Sequence, residues 1–518
     1  MIYRITKSQS NDCKDQTPAL KLGFVNFNNH RTSNLSNKMS KIFLLQIIFA
    51  VIVFTDVSLP QNHKNDLNNF LIEYKTNKNV PSISGGVSVN GKVTWLGALG
   101  WSDIENNVPA RTNTIYRIAS ISKPITAVAV MQLVEQNKIN LDEDARAYLP
   151  YFPKKRWKFT VRQLLNHTSG IRNYRYGEFN STESFKSTKD AIRSVIDDSL
   201  LFEPGTKYSY TSLGYNLLAG IIENVSGLSF EDYLNKNIFQ PSEMTSTYLE
   251  HQPKIIFNKA RGYIKNNFRQ FENAQLADLS IKFPGGGIIS TAEDLLRFAE
   301  KLISFKLIKA ATLDSMLVPA ILKNGDEIKY GLGFSYGVDQ RGRKYFGHAG
   351  AGTGFTGELI IYPDNALAAV YLTNVRDRNL ENPAKSFVSI ILDNNIEKPK
   401  KSLADRLLDF YFETTIDSSI VKLEQLNRDS SKSFIVNDDE LVFFGYDLMA
   451  TGNYPDAIHY FKYLISKKDN YNKYYIGLAD AYYKDGNKGL ALRNFRNAFH
   501  LDSKNKYTND MIRKIENE

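Results

Sequence analysis

The sequence contains almost no cysteine and no apolar run long enough for a comfortable transmembrane helix. Cys13 is the only cysteine among 518 residues, which excludes an intrachain disulfide and a metal cluster held by several thiolates. The apolar run at residues 42–54 is shorter than the ~20 residues that span a bilayer. Hydrophobic residues make up 42% of the chain, which is the composition of a globular protein. At this length, two or more domains are expected.

Signals for metal, dinucleotide and nucleic-acid binding are also missing. No His-Glu-x-x-His or comparable metal-ligand motif occurs. Residues 352–357 fit Gly-x-Gly-x-x-Gly, but a predicted strand follows where a dinucleotide site needs a helix. The formal charge is +10, yet Lys and Arg are scattered, so at most a weak attraction to anionic surfaces is expected. The sequence implies no cofactor, no metal and no nucleic-acid partner.

Residues 39–60 have the pattern of a secretory signal that starts at Met39, with one lysine before a short apolar stretch. The cleavage region is poor, because Asp56 would occupy a position that favours a small neutral side chain. We therefore expect a periplasmic or secreted protein, with an uncleaved membrane anchor formed by residues 42–57 as the alternative. Residues 1–38 are then either an untranslated extension or a disordered tail.

Residues 63–396 are expected to form one α+β domain. An amphipathic helix comes first, then a hairpin around Asn90-Gly91, the strongest short hairpin signal. Helical stretches follow, strands return after Tyr330, and a closing helix is expected at 382–394. This order predicts an antiparallel sheet that holds both termini, flanked by helices and carrying a helical subdomain. The strands are expected at 82–89, 92–99, 330–338, 344–348, 357–362 and 366–373.

The C-terminal part is expected to hold a linker and a pair of helical repeats. Residues 397–436 are charged and weakly periodic, with one helical piece at 403–412. Residues 437–510 contain positions that recur after 34 residues, a period that resembles tetratricopeptide repeats. Two repeats rarely stand alone, so we expect them to lean on the rest of the chain and to offer a surface for a protein partner. The recurring positions are Gly452, Asn453, Ala457 and Phe461, repeated as Gly486, Asn487, Ala491 and Phe495.

Ser120 and Lys123 form the most informative pair in the chain. Residues at i and i+3 share a helix face, so the two side chains would be neighbours, and the lysine could take the serine proton. Pro124 is tolerated only in a first turn, which places Ser120 at the start of an apolar helix. There the positive end of the helix dipole favours an alkoxide and disfavours a charged lysine.

Two later motifs complete a plausible catalytic set. Tyr210 can relay a proton if it lies beside the nucleophile and if nearby cations lower its pKa. Tyr208 also begins a Tyr-x-Tyr pattern, but the register against Gly214-Tyr215 favours Tyr210. Gly347-His348-Ala349-Gly350-Ala351 is expected on a strand, where a small-residue backbone can offer an N–H to a substrate carbonyl.

In this order the motifs resemble those of the serine β-lactamase and penicillin-binding-protein family. The similarity is to the class C and D,D-peptidase-like branch, and within it to the mitochondrial β-lactamase-like serine proteases and their bacterial relatives. It covers about residues 64–396. It implies the antiparallel sheet and helical subdomain of that family, with no cofactor. Other family-like stretches are Thr114–Ala119, Leu164–Ile171, Gly285–Leu295 and Tyr330–Phe334.

The resemblance assigns the central roles residue by residue. Ser120 matches the acylated nucleophile and Lys123 its proton acceptor, while Tyr210 matches the tyrosine that shuttles protons to the leaving group. His348 stands where a lysine is more familiar in the third motif. The N–H groups of Ser120 and Ala351 match the oxyanion hole.

The remaining positions concern the substrate. Gly350 and Ser212 are the expected substrate-binding residues, but Ser212 stands where the family usually has Asn, which argues against β-lactam turnover. His167 lies in a family-like stretch and is expected to hold a turn rather than to act in catalysis.

The expected function is that of an exported serine hydrolase that acylates and deacylates on an amide or ester. Candidate substrates are D-amino-acid peptides, other peptides and small esters. The alternatives are a true class C-type β-lactamase and a non-catalytic sensor or scaffold that recruits a partner through the repeats.

Overall fold

The structure is a computed structural model, and residues 1–58 lie outside the part of the chain that it describes. The predicted signal or anchor and the extension before it therefore lie outside the described residues. Within the part that is described, no helix has both the length and the hydrophobicity needed to cross a membrane. The described residues are 59–266, 269–377, 380, 382–429 and 433–518.

A seven-stranded antiparallel sheet organises the first domain, and its strand order is β11-β12-β13-β14-β1-β2-β3. The interior strand β1 pairs with β14, the central strand, on one side and with β2 on the other, so strands from the two ends of the domain meet inside the sheet. The predicted antiparallel sheet is thereby confirmed. Its strands are β1 Ser82–Val89, β2 Lys92–Asp103, β3 Val108–Pro109, β11 Ser335–Val338, β12 Lys344–Gly352, β13 Phe355–Tyr362 and β14 Leu367–Thr373.

Helices cover both faces of this sheet. Successive residues of a strand point to opposite faces, and adjacent glycines of β1 show the consequence. A Cβ at Gly85 would meet Phe387, whereas one at Gly86 would meet Leu296. The helices of this domain are α1 Gln61–Asn77, α2 Ser122–Glu135, α3 Val161–Leu165, α4 Thr188–Ile196, α5 Leu213–Ser226, α6 Phe230–Leu234, α7 Phe283–Gly286, α8 Ala292–Ile303, α9 Ala310–Met316 and α10 Pro383–Asp393.

The hairpin between β1 and β2 follows the sequence signal closely. Asn90 and Gly91 have φ values of +50° and +74°, and a two-residue turn of this kind matches the twist of the flanking strands. Short strands elsewhere link the helical region to the sheet. They are β4 Tyr116–Arg117, β5 Tyr248–Leu249, β6 Tyr263–Lys265, β7 Phe271–Asn273, β8 Ile288–Ser290, β9 Ala320–Ile321, β10 Glu327–Ile328 and β15 Val375–Arg376.

Two expectations about secondary structure were wrong. The strand expected at 330–338 begins only at Ser335, because Gly333 at φ +87° turns the chain before it. The linker holds a second helix at Ile416–Asp429, where Leu423 and Leu426 are buried. Its intervening charged and serine residues hide the helical period in the sequence.

The C-terminal helices start at regular intervals. Helices at Asp438, Asn472 and Lys506 begin 34 residues apart, as do those at Tyr454 and Lys488. The assignment of this region to tetratricopeptide repeats stays a prediction. The elements are α11 Leu403–Glu413, α12 Ile416–Asp429, α13 Asp438–Ala450, α14 Tyr454–Lys467, α15 Asn472–Lys484, α16 Lys488–Leu501 and α17 Lys506–Asn517, with β16 Lys401–Ser402 and β17 Phe434–Ile435.

Arg269, on the connection between β6 and β7, ties these helices to the first domain. Its guanidinium lies 2.9 Å from Asp405 and also pairs with Asp447. Arg269 and Asp447 are largely buried, so this ion pair is shielded from solvent. The C-terminal helices are therefore held against the first domain by a specific charged contact.

The ring of Phe461 packs between Gly445 and Gly477, with no room for a side chain at either position. A Cβ at Gly445 or at Gly477 would lie 2.3 Å from Phe461 Cζ, so the ring cannot retreat from one helix without striking the other. We expect Gly445→Ala to lower the free energy of unfolding by ~1–3 kcal/mol through overpacking. Urea unfolding of the full chain, followed by circular dichroism, measures this change.

Gly489→Ala is the matched control, because Gly489 is also helical and its nearest neighbouring atom is 4.0 Å from an added Cβ. Higher helix propensity should make that variant equal to wild type or more stable by up to ~1 kcal/mol. Equal stability of the two variants would contradict the close packing of Phe461 against Gly445.

Candidate active site

The turn that carries Ser120 is pressed against strand β12. Ala119 has a φ of +46°, in the left-handed region that non-glycine residues rarely adopt and that is often found at functional sites. A Cβ at Gly350 would lie only 2.2 Å from the Ile118 carbonyl oxygen. Gly350 therefore allows β12 to approach the serine turn. The buried Gly350 packs against this turn, whereas Ala351 and Gly352 line the cleft.

Lys123 is buried and lies one turn after Ser120, as the spacing predicts. Its Nζ is 3.1 Å from Ser120 Oγ, 3.0 Å from Ser212 Oγ and 2.6 Å from the Gly285 carbonyl oxygen. Among the residues that the structure describes, no carboxylate forms an ion pair with it. Three separate segments of the chain thus meet at one nitrogen atom.

The environment of Lys123 favours its neutral form. Burial, and then the positive charge of Lys282, hold the pKa of Lys123 well below its usual value of 10.5. A neutral amine has two N–H groups and one lone pair. If the N–H groups donate to Gly285 and Ser212, the lone pair is left for the Ser120 hydroxyl proton. This is the arrangement that a general base requires.

Tyr210, rather than Tyr208, lies at the serine. Lys123 Nζ is 4.7 Å from the centroid of the Tyr210 ring, while Tyr208 is exposed. Burial raises the pKa of Tyr210, and a hydrogen bond with the Ser120 side chain opposes that rise. The phenol is therefore protonated at neutral pH and can donate a proton toward the serine. The structure brings together Ser120, Lys123 and Tyr210.

His348 does not reach Ser120 in this arrangement. Its Nδ1–H donates to the Ala349 carbonyl oxygen at 2.5 Å, so its Nε2 accepts from the Tyr330 hydroxyl at 3.0 Å. Burial, together with the charge of Lys123, lowers the pKa of His348 to about 3. His348 is therefore a neutral side chain with both nitrogens engaged. The catalytic role expected for it stays a prediction, and the geometry favours a positioning role.

His167 lies behind the site and is fully buried. Its Nδ1 accepts a hydrogen bond from the Thr211 N–H at 3.3 Å, and its carbonyl oxygen accepts one from Ser209. Its ring centroid is 4.3 Å from that of Tyr210. These contacts hold the segment that carries Tyr210, which is the turn-holding role expected from the sequence.

Ser212 has neighbours that the sequence did not indicate. Its N–H donates to Asn173 Oδ1 at 3.1 Å, and its hydroxyl is hydrogen-bonded to Tyr174. A Cβ at Gly285 would lie 2.9 Å from the Ser212 carbonyl oxygen, so helix α7 packs closely here. Ser212 thus contacts Lys123 directly, while an amide side chain lies beside it on another segment.

A small cleft opens at Ser120. Ser120 and Ala351 both line it, which agrees with the expectation that their N–H groups face one oxyanion; that role itself stays a prediction. Within the described ranges, no group of three or more His, Cys, Asp or Glu side chains is placed to hold a metal ion. The other lining residues include Arg117, Tyr174, Phe179, Ser212, Lys282, Gly286 and Thr353.

Sequence reasoning missed several of these residues. Gly285 and Tyr330 lie in stretches already singled out as family-like, so their contacts could have been sought there. Lys282 had a weaker signal, a charged side chain between Ile281 and Phe283 just before the glycines. Asn173 had none.

The comparison with protein families decides the assignment. The model described as "Beta-lactamase" matches residues 67–388, which is more than half of the chain. The chain belongs to the β-lactamase family. The resemblance expected from the motifs is confirmed, and the match ends before the C-terminal helices begin.

Several known proteins are similar to this family member. The human serine β-lactamase-like protein LACTB, mitochondrial, is 29% identical over 378 residues, covering 55% of this chain and 69% of that protein. Penicillin-binding protein 4* of Bacillus subtilis is 29% identical over 299 residues, covering 55% of this chain and 66% of its own length.

Solved structures agree on the fold. The octameric penicillin-binding protein homologue from Pyrococcus abyssi has a TM-score of 0.56 at 26% identity, covering 64% of this chain and 78% of that one. The D-amino acid amidase from Ochrobactrum anthropi SV3 has a TM-score of 0.55 at 23% identity, covering 64% and 98%. At 23% identity, the similarity to the amidase shows a shared fold and nothing more.

The lowered pKa of Lys123 predicts a pH-dependent stability. Between the folded-state pKa and 10.5, the unfolded chain binds one more proton at this lysine than the folded chain does. The free energy of unfolding should therefore rise with pH by ~1.4 kcal/mol per unit from this group alone. Lys123→Met should remove that slope. Urea unfolding at several values between pH 8 and 10 measures the difference between variant and wild type.

Lys236→Met, which removes an exposed lysine, is the control and should keep the wild-type slope. If Lys123→Met and wild type have parallel pH profiles, Lys123 is charged in the folded protein and the base assignment is wrong.

Proposed function

We propose that this chain is a serine hydrolase that forms an acyl-enzyme on Ser120 and acts on an amide or ester. The observation that carries the proposal is the buried amine of Lys123, 3.1 Å from Ser120 Oγ and without a carboxylate partner among the described residues. A lysine with a purely structural role would destabilise the fold less if it were buried together with a carboxylate counter-ion. A lysine that must accept a proton needs its lone pair free.

The proposed acylation follows from the contacts around Ser120. The hydroxyl proton passes to Lys123 Nζ as Oγ bonds to the substrate carbonyl carbon. The carbonyl oxygen becomes an oxyanion that the N–H groups of Ser120 and Ala351 stabilise. The tetrahedral intermediate then collapses, the bond to the leaving group breaks, and Tyr210 delivers a proton to that group.

Deacylation reverses the roles. Water attacks the acyl carbon and loses its proton to the Tyr210–Lys123 pair, and the ester bond to Ser120 breaks as Oγ regains a proton. The two groups exchange protons through the same hydrogen bonds, so their titrations are coupled. Apart from the substrate and this water molecule, no group outside the chain is needed to balance these steps.

The substrates we propose are D-amino-acid peptides, other peptides or small esters. We also propose export or delivery to an organelle. The signal-like pattern of residues 39–60 supports this location, as do the mitochondrial label of the human relative and the similarity to a bacterial penicillin-binding protein. The C-terminal helices would then recruit a protein partner.

Replacing the nucleophile tests the proposal. Ser120→Ala should abolish labelling by a fluorophosphonate probe and lower kcat for p-nitrophenyl esters by at least ~10³-fold, as loss of an acyl-transfer nucleophile does. Ser503→Ala is the matched control, because Ser503 also precedes a lysine by three residues but is exposed. That variant should label and turn over like wild type.

Two outcomes would contradict the assignment. A probe adduct mapped to another serine would move the nucleophile elsewhere. A wild-type protein that neither labels nor turns over any ester or peptide would favour a non-catalytic sensor or scaffold.

Ser212 predicts weak activity on β-lactams. A hydroxyl replaces the amide that the family usually has there, and one buried polar contact is worth ~1–3 kcal/mol, or about one to two orders of magnitude in rate. Small esters should therefore turn over faster than a cephalosporin. Ser212→Asn should shift the ratio of the two kcat/KM values toward the cephalosporin without improving ester hydrolysis. Efficient cephalosporin turnover by the natural protein would instead identify a true β-lactamase.

A further inference from the structure

Lys282 is a buried cation in the wall of the cleft that Ser120 lines. Its side chain is only 5% exposed, and its Nζ donates to the Phe179 carbonyl oxygen. Nζ also lies 4.2 Å from the centroid of the Phe179 ring and 5.3 Å from that of Tyr174. The charge of Lys282 helps to lower the pKa of Lys123, but no step proposed above involves a contact with Lys282 Nζ. Its burial in the wall of the cleft therefore needs another explanation.

Within the described chain, no carboxylate forms an ion pair with Lys282. The nearby Glu250 is already engaged, because Arg117 donates to both of its oxygens at 2.7 and 2.9 Å. Lys259 donates to it as well, at 3.0 Å. Glu250 therefore offers Lys282 no hydrogen bond and only partial compensation of charge.

The surroundings add positive rather than negative charge. Arg117 and Arg376 both act on Lys282 electrostatically, and the Arg376 guanidinium lies 5.1 Å from the Phe179 ring centroid. Burial and these two arginines lower the pKa of Lys282 to about 8, so it is still mainly charged at neutral pH. Burying a cation with no carboxylate bound to it destabilises the folded chain. Such an arrangement is typical of a site that an anion completes.

Three other basic side chains lie in or near the cleft, and none of them is available to bind an anion. His348, which stands where a lysine is more familiar, is neutral and hydrogen-bonded to Tyr330 and Ala349. Lys123 is committed to the serine, and Arg117 to Glu250. Lys282 is therefore the cation of the cleft that still lacks an anionic partner among the described residues.

We propose that Lys282 determines specificity by binding a carboxylate that the substrate carries close to its scissile amide or ester. This inference rests on the proposed hydrolase function and narrows its substrate class to acidic acyl donors. The carboxylate would replace the Phe179 carbonyl as the main partner of Nζ, and its charge would compensate that of Lys282.

A pair of isosteric substrates tests the proposal. The α-p-nitroanilides of N-acetylglutamate and N-acetylglutamine have nearly the same shape and differ by one negative charge. Wild type should prefer the glutamate substrate by at least ~10-fold in kcat/KM, mainly through KM. Lys282→Met should bring this ratio close to one, because any change in the pKa of Lys123 affects both substrates alike, and Lys282→Arg should restore most of the preference.

Lys259→Met is the matched control, because Lys259 belongs to the same charged cluster but already pairs with Glu250. It should keep the wild-type preference. If Lys259→Met and Lys282→Met lost the preference for the glutamate substrate equally, that preference would come from the overall positive potential of the cluster. If the ratio of the two kcat/KM values were unchanged in Lys282→Met, Lys282 would only hold the segment around Phe179 in place. Either result overturns the proposal.

Binding measured without turnover separates this proposal from the proposed function. In the Ser120→Ala background, calorimetry should detect tighter binding of the glutamate compound than of the glutamine compound, and Lys282→Met should abolish the difference. If wild type hydrolyses esters but shows no such difference, only the specificity proposal fails. If the charge preference in binding is present without any labelling of Ser120, the hydrolase function fails instead.

Discussion

The contact between Lys123 and Ser120 is the constraint on which the rest of the site depends. Burying an amine with no carboxylate bound to it destabilises the chain unless the amine loses its proton. Once neutral, it has only two N–H groups to donate, and the structure supplies two acceptors, Ser212 and the Gly285 carbonyl. The third contact is then the serine hydroxyl. Burial lowers stability at neutral pH, and it also favours the neutral amine that the proposed role as a base requires.

The fold serves this contact by bringing backbones close together. Three glycine approaches surround the serine turn: β12 at Gly350 against Ile118, and helix α7 at Gly285 and Gly286 against Ser212 and Ala119. A side chain at Gly350 or Gly285 would clash and separate the segments. The seven-stranded sheet fixes β12, and the packing of α2 against α7 fixes the lysine, so rigid elements rather than loops set the geometry of the nucleophile and base.

Much of the fold and of the catalytic set could be predicted from the sequence. The hairpin at Asn90-Gly91, the alternating strands and the apolar helix after Ser120 depend on local signals. The spacing of Ser120 and Lys123 depends on helix geometry alone. The helix at Ile416–Asp429 was missed because tertiary packing, rather than a clear period, stabilises it.

The remaining features depend on contacts between distant segments. Nothing local indicates that His348 is paired with Tyr330, that Asn173 lies beside Ser212, or that Lys282 is buried without a bound carboxylate. Each follows from how segments separated by tens of residues pack together. Such contacts decide whether a side chain is charged, and therefore what it can do.

The protonation state of Lys123 is the most direct test of this account. In the full protein labelled with ¹³Cε-lysine, the resonance of Lys123 can be assigned by its loss in Lys123→Met and followed through a pH titration. We expect a midpoint well below the ordinary lysine value of 10.5, with the amine neutral when Ser120 reacts. A midpoint at or above 10.5 would mean a charged ammonium beside the serine, and the proposed base would be wrong.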